Sequence, residues 1–151
     1  YWAAVTNLAL SDALSNIHSF IIIATNHCGD DMYKFVNSCA PRSGTYYMRA
    51  VTSSANFRTA NGVDKDGNAR PVHGFWADVN DFLHGWLNYQ IEHHMFPRLP
   101  RPRLRQARAR VRAALRRLDG GAPPCVERSL LGANAMLLRH LRGVASRAVK
   151  S

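Results

Sequence analysis

The first apolar pattern is also the longest. Residues 1–25 are mostly apolar and end in Phe20-Ile21-Ile22-Ile23-Ala24-Thr25, a stretch long enough to cross a bilayer. Asn7, Asp12, Asn16 and His18 interrupt it. At 100° per residue, Asp12, Asn16, Ser19 and His27 fall within a sector of about 80°, broken by Ile23, while His18 points elsewhere. The pattern fits a span whose polar stripe faces a protein interior, and equally a buried helix of a soluble domain. Residues 28–40 read as a helix exit and a partly polar connection, with Asp30-Asp31 just past His27. Residues 40–73 mix Gly, Ser, Thr and Asn with Tyr46, Tyr47 and Phe57, and residues 61–68 are a turn-rich loop. Its Asp-Lys-Asp-Gly resembles the start of a calcium loop but lacks the bidentate Glu, so no calcium site is assigned. Residues 74–97 are aromatic, histidine-rich and helical, and Phe96-Pro97 and Pro100 break them. From Arg101 to Leu118 the spacing predicts an amphipathic helix, with Leu104, Val111, Leu115 and Leu118 on one face and Arg105, Arg108, Arg112 and Arg116 on another. Gly120, Gly121, Pro123 and Pro124 end it, and residues 129–149 form a last amphipathic segment with Leu130, Leu131, Leu137, Leu138 and Leu141 on its apolar side. No internal repeat is present.

Composition narrows the class. The chain has 151 residues, 46% of them apolar and 20% charged, which excludes a disordered chain, a collagen-like repeat and a compact multispan bundle. The net charge of +10 is unevenly distributed. Residues 1–97 carry six Lys/Arg against eight Asp/Glu, a net −2, and residues 98–151 carry fourteen against two, a net +12. A basic tail beside a polar body fits this better than a nucleic-acid-binding domain. Cys28, Cys39 and Cys125 are widely spaced and odd in number, so neither a disulfide framework nor a CxxC metal knuckle is expected. The chain opens at Tyr1 without an initiator Met, as a piece of something longer would.

The sharpest chemistry lies in Gln90-Ile91-Glu92-His93-His94. Adjacent histidines on a helix diverge by 100° and so suit two neighbouring metal ions better than one. Gln90 lies one turn earlier on their side, placed to orient an imidazole, bond a metal-bound water or itself ligate. Imidazole suits iron, zinc and copper alike, and the zinc-protease HExxH pattern is absent.

With its flanks, Asn88-Tyr89-Gln90-Ile91-Glu92-His93-His94-Met95-Phe96-Pro97 resembles the third histidine box of membrane-bound fatty acid desaturases, especially the acyl-lipid and front-end group, in which Gln replaces the first His of HxxHH. Asn80-Asp81-Phe82 and Gly85 fit the approach to that box, Leu99-Pro100-Arg101 its exit, and Asn26-His27 the isolated Asn-His that ends the preceding transmembrane helix. The resemblance covers about residues 7–118. It implies a mainly α, membrane-associated fragment: one transmembrane helix, a connecting loop, a histidine-box helix and C-terminal amphipathic helices. Residues 1–118 would be the C-terminal part of a desaturase domain and 119–151 a basic amphipathic tail.

By the same resemblance His27, His93 and His94 are iron ligands, Gln90 is a ligand or a partner of one, and Asn26 acts through a water. The di-iron centre would be completed by histidines of two boxes upstream of this chain, which alone would be inactive. His18 is assigned to helix packing or the substrate channel. Trp76, Phe82 and Trp86 either wall an acyl channel or fill the core, His84 either lines the site or is structural, and His73 and His140 receive no role. The implied reaction is oxygen-dependent introduction of a double bond into a fatty acyl lipid or acyl-CoA, with electrons from cytochrome b5 or ferredoxin. The membrane would be endoplasmic reticulum, plastid or bacterial. The nine arginines from Arg98 to Arg117 read as a solvated face or as a helix lying on an anionic membrane surface. The alternatives are a related di-iron hydroxylase, ketolase or sphingolipid desaturase and, outside enzymes, a basic module binding RNA or a membrane surface.

Overall fold

A computed structural model describes residues 1–29, 32–57, 74–118 and 125–148. Asp30-Asp31, the turn-rich stretch at 61–68, His73, the 118/119 boundary with Gly120–Pro124, and Val149 therefore lie on or beyond the edge of the described residues.

The chain is mainly helical. Helix α1 (Trp2–His27) is 26 residues long, about 39 Å at 1.5 Å per residue. Among the described residues it is the one helix long and apolar enough to cross a membrane. Only Ile22, Thr25 and Asn26, in its last turns, are buried. It ends where Cys28 turns extended. His18 is exposed and lies nine residues before His27, about 13 Å along the axis.

Residues 40–57, read only as a mixed Gly, Ser, Thr and Asn connection, contain regular structure that this composition concealed. Helix α2 (Gly44–Thr52) starts at Ser43, whose Oγ accepts the Tyr46 N–H at 3.1 Å. Strand β1 (Ala55–Phe57) follows. It pairs in parallel with β2 (Val126–Arg128), Asn56 opposite Glu127. Three residues is too short for either strand to announce itself by alternation.

The segment read as one helix from residue 74 to 97 is three pieces: α3 (Phe75–Leu83), a 3-10 turn at Leu87–Tyr89, and α4 (Gln90–Met95). Gly85, at φ 56°, is the break. Its N–H reaches Phe82 O at 2.9 Å and the Trp86 N–H reaches Asp81 O at 2.8 Å, the paired bonds of a glycine-terminated helix. Helix α5 (Leu104–Leu118) and helix α6 (Leu130–Ala148) match the amphipathic segments expected.

Two apolar clusters form the core, and α4 contributes Ile91 to one of them. Val51 of α2, Ile91 of α4 and Val111 and Leu115 of α5 form one, with Met95 and Cys125 against it. Ile22 of α1, Phe57 of β1 and Ala133 of α6 form the other, with Leu87 and Leu130 against it. Leu104 is also buried, but Leu118, Leu131, Leu138 and Leu141 of the expected apolar faces are exposed.

The arginine face of α5 corrects the sequence reading. Arg108 is buried and, with Arg112, grips Glu127 of β2 at 2.8 and 3.1 Å. Arg105 binds Asp78 at 2.8 Å and, through Nε, Asp81 at 2.8 Å. Three of the four arginines on that face are therefore internal struts. A cation this far from water is tolerated because carboxylates meet it.

Candidate metal centre

The site forms where the end of α1 meets the start of α4. Asn26, fully buried, donates through Nδ2 to Leu87 O at 2.9 Å and to Gln90 Oε1 at 3.4 Å. This turns the amide nitrogen of Gln90 outward. Gln90 Nε2 lies 3.0 Å from His27 Nε2 and 2.9 Å from His94 Nε2. An amide nitrogen carries two hydrogens and no lone pair, so both imidazole nitrogens face it as acceptors. Two unprotonated Nε2 atoms are thus aimed at one point, as metal ligation requires. The His94 ring is held near a pKa of about 4 by partial desolvation, then by the neighbouring His27 and His93 imidazoles.

His93 points aside, its ring centroid 5.8 Å from that of His94 and the planes 58° apart. Desolvation and the nearby Arg101 guanidinium lower its pKa. Among the described residues no three His, Cys, Asp or Glu side chains gather as a self-sufficient metal site. The donor set present is therefore two converging imidazoles, a carboxamide and a third imidazole facing elsewhere. It fits part of a centre for a metal that imidazole suits, such as iron, zinc or copper.

The sequence did not single out what holds α4. Asn56 of β1 accepts the Ile91 N–H at 2.9 Å and donates to Glu92 Oε2 at 2.8 Å. Glu92 is buried, and that burial raises its pKa. The Tyr46 hydroxyl donates to His94 O at 2.6 Å, occupying a carbonyl in the last turn of α4. Asp81, also buried, accepts from Asn88 Nδ2 at 2.6 Å and from the Tyr89 hydroxyl at 3.0 Å. Burial, then the Asp81 charge, pushes the Tyr89 phenol up to about 12. Glu92 and Asp81 carry one signal readable in advance: each is an acid inside an otherwise aromatic or histidine-rich helix.

The remaining candidates are dispersed. Trp76 and Phe82 stand exposed on α3, and Trp86 is half-buried with its ring 6.1 Å from that of Phe82. The Nδ1 of His84 lies 2.7 Å from Asn80 O, and its ring packs on Phe57. His140 of α6 helps line a cleft of about 300 Å³ beside His27, with Cys28, Gly29, Met32 and Lys34.

The family model described as "Fatty acid desaturase" matches residues 21–122, which include every converging side chain above. The chain belongs to the fatty acid desaturase family. Over 121 residues, 79% of this chain and 24% of the relative, it is 31% identical to the NADPH-dependent stearoyl-CoA 9-desaturase of Mycobacterium tuberculosis. It is 42% identical over 59 residues to the acyl-lipid (7-3)-desaturase of Diacronema lutheri, covering 39% of this chain and 9% of that protein. The Delta 8-(E)-sphingolipid desaturase of Lachancea kluyveri is 61% identical over 31 residues, 20% of this chain and 6% of that one. The chain thus spans about a quarter of the length of the first of these relatives. No solved structure matches.

Proposed function

We propose that this chain is the C-terminal, third-box portion of an oxygen-dependent di-iron desaturase that introduces a double bond into a fatty acyl chain. The observation that carries the reading is the meeting of His27 and His94 on the Gln90 amide. Residues from two separate elements, matched to two separate family motifs, present their lone pairs to one place. His27, His93 and His94 would hold iron, and Gln90 either joins them or bonds a water that does. Bound iron supplies the reductive activation of dioxygen that breaking an unactivated methylene C–H bond demands. Asn26 fixes the Gln90 amide from behind, and Asn56 and Tyr46 fix the backbone of α4 at its two ends.

Histidines elsewhere in the whole protein complete the centre, which makes this portion inactive by itself. Residues 1–118 belong to the desaturase domain and 119–151 to a basic tail. The protein sits in a membrane through α1 and acts on a fatty acyl lipid or acyl-CoA with dioxygen. Its electrons come from cytochrome b5 or ferredoxin. Trp86 and His18 are assigned to the path of the acyl chain, whereas Trp76 and Phe82, exposed on α3, face away from the protein. A sphingolipid substrate is the second reading, favoured by the high identity of the short match to the Lachancea kluyveri enzyme.

The test is the lipid profile of cells expressing the whole protein beside its His27→Ala and His94→Ala variants. A new double bond made only by the unaltered protein is the expected result. A hydroxyl or keto product, or unsaturated product from both variants, overturns the reading. A double bond in the long-chain base alone selects the sphingolipid alternative.

A further inference from the structure

Helix α3 is packed inside out. Its buried residue is a carboxylate, Asp81, 1% exposed, whereas Phe75, Trp76, Phe82 and Leu83 are 72%, 77%, 69% and 54% exposed. With half-buried Val79 they recur at i, i+1, i+4, i+7 and i+8. They form one stripe about 120° wide, opposite Asp81. A surface helix of a soluble domain turns that stripe toward the core. Here the core side is held by ion pairs to Arg105, and the apolar side faces away from the protein.

Two observations indicate what covers it. The first is position. Only Gly85 and Trp86 separate the end of this helix and its cap from Leu87, whose carbonyl accepts from Asn26 in the last turn of α1 at 2.9 Å. The C-terminal end of α3 is therefore tied, within four residues of chain, to the end of the long apolar helix. That helix end lies at the depth of lipid headgroups when α1 spans a bilayer. The second is charge. Arg98, Arg101 and Arg103 are exposed just beyond the box. Arg101 Nη1 reaches Gly85 O at 3.3 Å, which seats a cation at the foot of the aromatic stripe. Trp and Phe beside arginine at the end of a span is the composition of a membrane interface.

We propose that the Phe75, Trp76, Val79, Phe82 and Leu83 stripe of α3 beds into the headgroup–acyl boundary of an anionic bilayer, on the side where α1 ends, and seats the Gln90–His94 helix against that surface. The inference rests on the reading of α1 as a membrane span, and its test separates the two. The Trp2→Phe, Trp86→Phe chain leaves Trp76 as the reporter of α3, and the Trp76→Phe, Trp86→Phe chain leaves Trp2 as the reporter of α1. Each is reconstituted in phosphatidylcholine–phosphatidylglycerol vesicles containing lipids brominated either near the headgroup or near the chain end. Every substitution keeps an aromatic ring, and far-ultraviolet circular dichroism checks that the helices persist.

Trp76 is expected to emit at shorter wavelength than in water and to lose most of its emission to the shallow bromines, with a smaller loss to the deep ones. Emission that iodide quenches and bromine does not places Trp76 in water and overturns the proposal. Short-wavelength emission untouched by either quencher means that protein, a second copy or another part of the polypeptide, covers the stripe, and overturns it too. If Trp2 is quenched by bromine while Trp76 is not, the α3 inference fails and the span stands. If neither is quenched, both readings fail.

Discussion

The imidazoles of His27 and His94 meet edge to face, with ring centroids 5.1 Å apart and planes at 82°. Their Nε2 atoms share one amide neighbour in Gln90. If they share a metal instead when the whole protein is loaded, either His→Ala change removes a ligand. Iron per polypeptide in the purified whole protein should fall sharply in His27→Ala and in His94→Ala. It should be unchanged in His18→Ala, because His18 sits on exposed helix about 13 Å up the axis. Metal analysis by atomic absorption checks this, and an iron loss in His18→Ala equal to the others contradicts it.

Gln90 permits a finer discrimination. Its amide is oriented by Asn26, and its spacing to His94 is one helical turn. Gln90→Ala removes both contacts to the imidazoles and should weaken iron retention by about 10–100-fold, the usual effect of deleting a partner of metal ligands. Gln90→His places an imidazole where the amide stood and should retain more iron than Gln90→Ala. Iron retention during chelator dialysis ranks the three proteins. Equal loss in both variants would mean that Gln90 does no more than fill space.

Asp81 predicts a stability effect without a metal role. It is buried with a guanidinium, a carboxamide and a phenol donating to it. Asp81→Ala leaves Arg105 with the exposed Asp78 carboxylate and strands the Asn88 and Tyr89 donors, and should cost about 1–3 kcal/mol. The double change with Arg105→Ala should cost less than the two single costs added together. Denaturant unfolding of the four proteins closes the cycle, and simple additivity would deny the coupling.

Gly85 holds the bend that aims α4. At φ 56°, a side chain there is strained, although a Cβ would meet only Arg101 Nη1 at an ordinary 3.6 Å. Gly85→Ala should therefore cost about 1–2 kcal/mol, all of it backbone strain. A lowered thermal midpoint with unchanged helical signal is the expected readout, and an unchanged midpoint argues against the bend.

How much of this was legible in the residues follows from the range of each interaction. Helices α1, α5 and α6 were readable because apolar spacing is local, and the box helix because its chemistry is unusual. Helix α2 was hidden by its Gly and Thr residues and the serines that flank it; its stability comes from Val51 reaching Ile91 and from Ser43 at its start. The pairing of β1 with β2 joins residues far apart in the chain, which no three-residue pattern encodes. The arginine face misled for the same reason. Arg108 looks solvated until Glu127 comes to meet it. For the site, the ligand types and their helical spacing were visible, and the convergence of His27 on Gln90 was implied only by the family resemblance. Asn56, which braces α4 from a strand, was not visible at all.

Glu127 carries the last prediction. It receives Arg108 at 2.8 Å on one carboxylate oxygen and Arg112 at 3.1 Å on the other, with all three side chains at most 11% exposed. Two cations share one anion, so the seam is already short of negative charge. Glu127→Ala leaves both guanidinium groups facing each other away from water, a loss of about 3–5 kcal/mol on the scale of other broken buried pairs. The damage should also travel. Glu127 stands opposite Asn56 in the parallel pair, and Asn56 holds both the Ile91 N–H and the Glu92 carboxylate of the histidine helix. Amide hydrogen exchange should therefore quicken at Ile91 as well as along β2, while the middle of α1, exposed and remote from its buried last turns, keeps its rate. Faster exchange confined to β2 would show that the strand pair and the histidine helix are mechanically independent.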